Sequence, residues 1–213
     1  KNYTFNESLL TDIALASSGI VVQKDSTLTI VGDPTKNITI NGLGDSKLFS
    51  FKSHVILQNI NFINGVGHKT SSITSDDMLE ISDCIFFDNT GKLGGAIQAN
   101  DGLTITDSIF EGNIALDGGS IYIGNSNSES RIENCNFTDS KATTGDAGCI
   151  YSNSAHLTLR NLNITDAAAA LNGGAMVLNG ENTVLDHLYI ANCRATNGGA
   201  MYYTKAPKQS TYL

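Results

Sequence analysis

The chain has 213 residues, only 16 % of them charged, with 21 glycines, two prolines, no tryptophan and a formal net charge of −8. An acidic balance without a basic stripe argues against nucleic acid and anionic membrane surfaces as partners. No stretch approaches the ~20 apolar residues of a spanning helix, and no signal peptide precedes Lys1, so the chain reads as a mature or trimmed piece of a longer protein.

In chain order, residues 6–19 carry Leu9, Leu10, Ile13 and Ala16 at near-helical spacing. Asn6 or Ser8 is placed to cap the N-terminus and Gly19 to end it. The pattern predicts a short helix that plugs one end of the fold, so that 1–19 forms a cap. Residues 20–54 read as irregular strand-and-turn units (STLTIVGD, NITINGLG, KLFSF). From 55 to 204 the chain repeats, and 205–213 is a polar tail. The whole is one elongated domain, since a repeat array grows by adding units and needs no second core.

Two motifs set the repeat. Gly94-Gly95-Ala96-Ile97 recurs as Gly118-Gly119-Ser120-Ile121, Ala147-Gly148-Cys149-Ile150, Gly173-Gly174-Ala175-Met176 and Gly198-Gly199-Ala200-Met201, at intervals of 24, 29, 26 and 25. In step with it, Phe62, Phe86, Phe110, Phe137, Ile164 and Ile190 recur every 24–27 residues. Phe86 and Phe110 open Phe-x-x-Asn motifs that end at Asn89 and Asn113; later copies have Ser140, Ala167 and Cys193 there. A period in the twenties marks a solenoid.

Aligning on the Phe column gives the geometry. The anchor and the residue two before it share a strand face and point inward. Three before the anchor stand Asn59, Asp83, Asp107, Asn134, Asn161 and His187. Asn and Asp tolerate left-handed backbone, so this column is a corner between two strands. The Gly pair marks another corner, through unusual dihedrals or a close approach between coils. Each repeat is thus one turn of a parallel β-helix with about three short strands. Roughly eight turns at about 4.8 Å each make a rod of roughly 40 Å.

Cys84 and Cys135 share an inward column two turns apart, roughly 10 Å and beyond disulfide reach. The four cysteines read as buried thiols, with one unforeseen disulfide as the alternative, and no Cys or His spacing suggests zinc. Asp83 with Asp107, and Asp139 with Asp166, stack in neighbouring turns. They read as corner residues, with calcium binding or acid–base catalysis as the other readings. No cofactor, metal or catalytic set is expected. Sequons begin at Asn2, Asn6, Asn37, Asn136 and Asn163, and the last two fall on outward positions, which makes them candidate glycosylation acceptors.

The joint recurrence of Gly-Gly-Ala-Ile and Phe-x-x-Asn over residues 55–203 resembles the repeat of the chlamydial polymorphic membrane proteins and of adhesin-like surface proteins of methane-producing archaea and protists. The segment ITINGLGDSKLFSF resembles the lead-in turn of such proteins. The resemblance implies a right-handed single-stranded parallel β-helix, secreted or displayed at a cell surface, that mediates attachment to a host-cell, matrix or neighbouring-cell protein or glycan without enzymatic activity. Family members are described as binding through the two motifs, which would implicate Phe86 to Asn89, Phe110 to Asn113 and the Gly-Gly copies. Nothing in the chain matches a membrane barrel.

The segments GHKTSSITSDD (67–77) and GNSNSES (124–130) break the period and are expected to project as binding loops. Two other functions stay open. One is a carbohydrate-active enzyme or glycan-binding module of the pectate-lyase-like fold. The other is a filament subunit that self-associates end to end through its C-terminal turn.

Overall fold

The structure, a computed structural model, describes residues 2–5, 19–23 and 27–204. The chain is all-β there, and the strands pair in parallel, each with its counterpart one turn away. An eight-stranded sheet stacks Ile20–Val22, Phe49–Phe51, Ile73–Ser75, Ile97–Ala99, Ile121–Ile123, Ile150–Ser152, Met176–Leu178 and Met201–Tyr203. Eight stacked strands leave seven intervals, hence about seven turns and a sheet about 34 Å long. The capping helix expected over 6–19 and the tail 205–213 lie outside the described residues, Gly19 apart.

A twelve-stranded sheet supplies two further faces. In the lower turns Val55–Gln58, Leu79–Ser82 and Leu103–Thr106 form one face, and Asn61–Ile63, Ile85–Phe87 and Ile109–Glu111 form the next. Higher up the two faces run on within single ten-residue strands, Glu129–Thr138, His156–Thr165 and Asn182–Ala191. Three two-residue strands, Ile114–Ala115, Lys141–Ala142 and Ala168–Ala169, make a short third sheet.

The bend between the first two faces falls on the Asn/Asp column. Asn59, Asp83, Asp107, Asn134, Asn161 and His187 all have φ between 51° and 55°. A second left-handed column two residues after the anchor holds Asn64, Asp88, Gly112, Asp139, Asp166 and Asn192. Short polar side chains that bond locally lower the cost of this conformation. Both Asp stacks are therefore corners.

Inside, Phe62, Phe86, Phe110 and Phe137 are fully buried and stack with ring centroids 5.2, 4.7 and 4.7 Å apart. Beside them runs an asparagine ladder. The Asn89 amide donates to the Phe62 carbonyl (2.9 Å) and to Asn113 Oδ1 (3.2 Å), while Asn89 Oδ1 accepts from the Gly65 N–H (2.9 Å). Asn113 repeats the pattern one turn on, donating to the Phe86 carbonyl (3.0 Å). A buried amide survives only when its donors and acceptors are met, and here the adjoining turns meet them.

The Gly pair serves both purposes foreseen for it. The first position is left-handed: φ is 71° at Gly94, 62° at Gly118, 63° at Ala147, 63° at Gly173 and 62° at Gly198. At the second, a Cβ would sit 2.4 Å (Gly95), 2.0 Å (Gly119), 2.1 Å (Gly148) or 1.8 Å (Gly174) from the carbonyl oxygen of the next turn's pair. Just before the pair stands a ladder that the sequence reading missed. Asp117 Oδ1 accepts from the Asp146 N–H (2.8 Å), and Asp146 Oδ1 from the Asn172 N–H (3.0 Å) and side-chain amide (2.8 Å). Asn172 Oδ1 in turn accepts from the Asn197 amide (2.9 Å).

Candidate functional site

The repeat motifs face inward. Phe86, Asn89, Phe110, Asn113 and Phe137 are fully buried, and Gly94, Gly95, Gly118, Gly119, Gly148, Gly173 and Gly174 are buried corner residues. Gly198 and Gly199 are exposed on the last turn. A ligand at the rod's side therefore meets other residues than the buried motif copies.

The two segments expected to project do so only in part. In 67–77, Ser71 and Ser72 are fully buried and hold the places of Gly95 and Ala96, as shown by the pairing of Ile73 with Ile97. The Ser71 hydroxyl donates to the Ile73 and Ala96 carbonyls, and that of Ser72 to the Gly65 and Gly95 carbonyls. These bonds fix the segment into the stack, and only His68 and Lys69 at its start and Asp76 near its end are exposed. In 124–130, the Ser128 and Ser126 hydroxyls donate to Asp101 (2.5 and 2.8 Å) and hold its carboxyl below the usual range. That segment is pinned to the turn below.

Two concavities among the described residues lie on the outward side of the face that begins with Val55–Gln58. Its lower part is a depression of about 210 Å³ lined by Ile56, Gln58, Glu80, Ser82, Thr104 and Thr106. Its upper part, of about 360 Å³, is lined by Glu129, Arg131, His156, Thr158, Asn182 and Val184. These are alternate residues of register-paired strands: Glu129 faces His156, which faces Asn182, and Arg131 faces Thr158, which faces Val184. Period-two alternation puts every second residue outward, and parallel stacking lines those residues up along the rod. Along the groove's rim the Arg160 Nε donates to Asp186 (2.9 Å), and Glu133 lies 3.4 Å from Arg131 and 3.8 Å from Arg160. Carboxylate, guanidinium, imidazole, hydroxyl and amide groups thus recur at strand spacing along the outward side of one face, with the upper depression offset sideways from the lower by one outward column. No residue type is kept from one turn to the next in these columns, so no sequence periodicity flagged them.

The next face bears the sequons. Asn136 and Asn163 are exposed register partners on adjacent turns, and Asn37 is exposed lower down beside Asn61. Asn2 lies in the strand Asn2–Phe5, which pairs with Leu28–Gly32, and Asn6 is outside the described residues.

All four cysteines are free thiols, three of them buried. Burial pushes Cys84 and Cys135 up to about 12 and raises Cys149 as well. The thiolate is the reactive form. In the native protein Ellman's reagent should therefore titrate at most one thiol, the half-buried Cys193, and all four after denaturation. Fast labelling of two or more native thiols would contradict this packing.

No three His, Cys, Asp or Glu side chains cluster to hold a metal ion among the described residues. No helix among them is long and apolar enough to cross a membrane. No known protein family matches the chain, and no curated protein matches it.

Proposed function

We propose that the protein is a non-enzymatic β-helical rod, secreted or displayed at a cell surface, that mediates attachment through the outward groove formed by these two depressions on one face. The observation that carries this reading is a division of labour between columns. The recurring residues are mostly spent on stacking, whereas the outward residues of one face differ from turn to turn and enclose the two concavities described above. Groups spaced one strand apart along an axis suit an extended ligand gripped at several points, each contact modest and the sum specific. The resemblance of the repeat to surface adhesins supports the same reading.

The experiment is adhesion of the purified rod to cells and matrix, with a glycan array in parallel. Replacing Arg131 and His156 together by alanine should weaken binding at least about fivefold. Tyr189→Ala, an exposed residue on the neighbouring face, should leave it unchanged. Equal loss in both variants, or no loss in the first, removes the groove from the account. Release of reducing or unsaturated sugar from polysaccharides by the wild type would replace attachment with the enzymatic reading.

A further inference from the structure

Lys47 is an anomaly in the repeat. Phe49 pairs with Ile73, and Ile73 with Ile97, so Ser46-Lys47 stands where later turns have Gly94-Gly95. A long cation thus occupies a column that at Gly95, Gly119, Gly148 and Gly174 leaves no room for a methyl group, and Lys47 is only 7 % exposed. Its ammonium donates to Thr70 Oγ1 (3.0 Å) and Thr74 Oγ1 (2.8 Å). Among the described residues it forms no ion pair. Asp76, the carboxylate whose charge reaches it, is bound by Lys52 and by the Asn100 amide (2.7 Å).

Buried lysines are rare without a charge partner, because neutral hydroxyls do not replace the lost hydration of an ammonium. Burial, then the like charge of Lys52, lowers Lys47 to about 8, so at neutral pH it is still largely protonated. The geometry leaves donors in hand. An ammonium has three N–H groups, and among the described residues two of those of Lys47 are used. Because Thr70 and Thr74 accept from Nζ, their own hydroxyl protons point elsewhere, and that of Thr74 reaches Ser50 at 3.4 Å. Thr70 and Thr74 are half-buried, and the charges that reach Lys47 are those of Lys52 and Asp76, while Lys69 and Lys92 are exposed. Lys92 is tied in by its N–H, which donates to the Thr70 carbonyl.

We propose that Lys47, Thr70 and Thr74 form a binding site for an oxyanion group, a sulfate, phosphate or carboxylate, on the eight-stranded sheet and separate from the groove. The anion takes the third ammonium proton and the Thr70 hydroxyl proton, and supplies the negative charge the buried lysine lacks. Charge-assisted bonds of this kind are the stronger class.

The test is NMR titration of the wild-type protein with sodium sulfate, phosphate and acetate separately, at constant ionic strength held by chloride. The readouts are the Lys47 side-chain carbon next to Nζ and the Thr70 and Thr74 amides. At least one anion should give a saturable shift at all three. The tetrahedral ions against acetate tell a sulfate or phosphate ligand from a carboxylate one. Binding should fall at least about tenfold in Lys47→Met and measurably in Thr70→Val, which keeps the branched side chain and the fold. Linear, non-saturating shifts with every anion overturn the proposal, as does undiminished binding in Lys47→Met. If Lys47→Met does not fold, the wild-type lysine resonance together with Thr70→Val decides the matter.

Discussion

Replacing Phe110 by alanine should lower the unfolding free energy by about 3–5 kcal/mol. Its ring lies between those of Phe86 and Phe137, 4.7 Å from each and within 6° and 9° of parallel, and it has no exposed surface. The backbone of neighbouring turns is locked by in-register pairing on both sides, so the vacated space cannot collapse. Phe110→Leu should cost clearly less, because Ile164 and Ile190 already serve as aliphatic anchors in the same column. Since each turn touches only its neighbours, the loss of hydrogen-exchange protection should centre on the turns carrying Phe86, Phe110 and Phe137. A cost below about 1 kcal/mol in chemical denaturation would mean that the stack adds little beyond what its neighbours can refill.

Gly119→Ala should be comparably severe, about 3 kcal/mol or more, while Gly199→Ala should cost less than about 0.5 kcal/mol. The two glycines hold the same place in the same motif. The Gly119 Cβ would lie 2.0 Å from the Gly148 carbonyl oxygen and 2.6 Å from the Lys141 nitrogen, backbone atoms of the turn above that cannot yield without breaking its pairing. On Gly199 the nearest atom among the described residues is the Cys193 carbonyl oxygen at 3.4 Å, an ordinary contact. Paired thermal melts of the two variants check this. Equal destabilisation would show that the glycine is needed for local dihedral reasons and not for the approach of the next coil.

Much of the fold was legible because the repeat exposes its own constraints. The Asn/Asp column could be placed at a bend from side-chain chemistry alone, and even His187, the least expected member, adopts the same left-handed φ of 53°. The Gly pair left two explanations open, and the structure uses one at each glycine. Features that depend on which turn lies above which were harder to see. The ladder through Asp117, Asp146, Asn172 and Asn197 joins residues 25–29 positions apart, and only a register makes them neighbours. Ser71 and Ser72 looked like loop residues because serine is a turn former in isolation. Their burial follows from carbonyls that their own turn and the next present to them. Least legible was the groove, since a solvent-facing column is free to vary and variation leaves no pattern to read.

The in-register pairing has a consequence for how such a chain changes length. Leu79 pairs with Leu103 and Phe86 with Phe110, so residues 79–102 form a closed unit whose two ends occupy equivalent places in successive turns. A genetic event that copies or deletes that unit joins Met78 to Leu103, or Gly102 to a second Leu79, without moving a side chain from the inside to the outside. Reach can therefore be adjusted in steps of one strand spacing, about 4.8 Å, while the groove is lengthened or shortened at the same stroke. Below residue 72 the same operation fails. There Ser46-Lys47 and Thr70-Ser71 replace the glycine pair, and their hydroxyls and ammonium are fitted to particular neighbours rather than to any turn of the repeat.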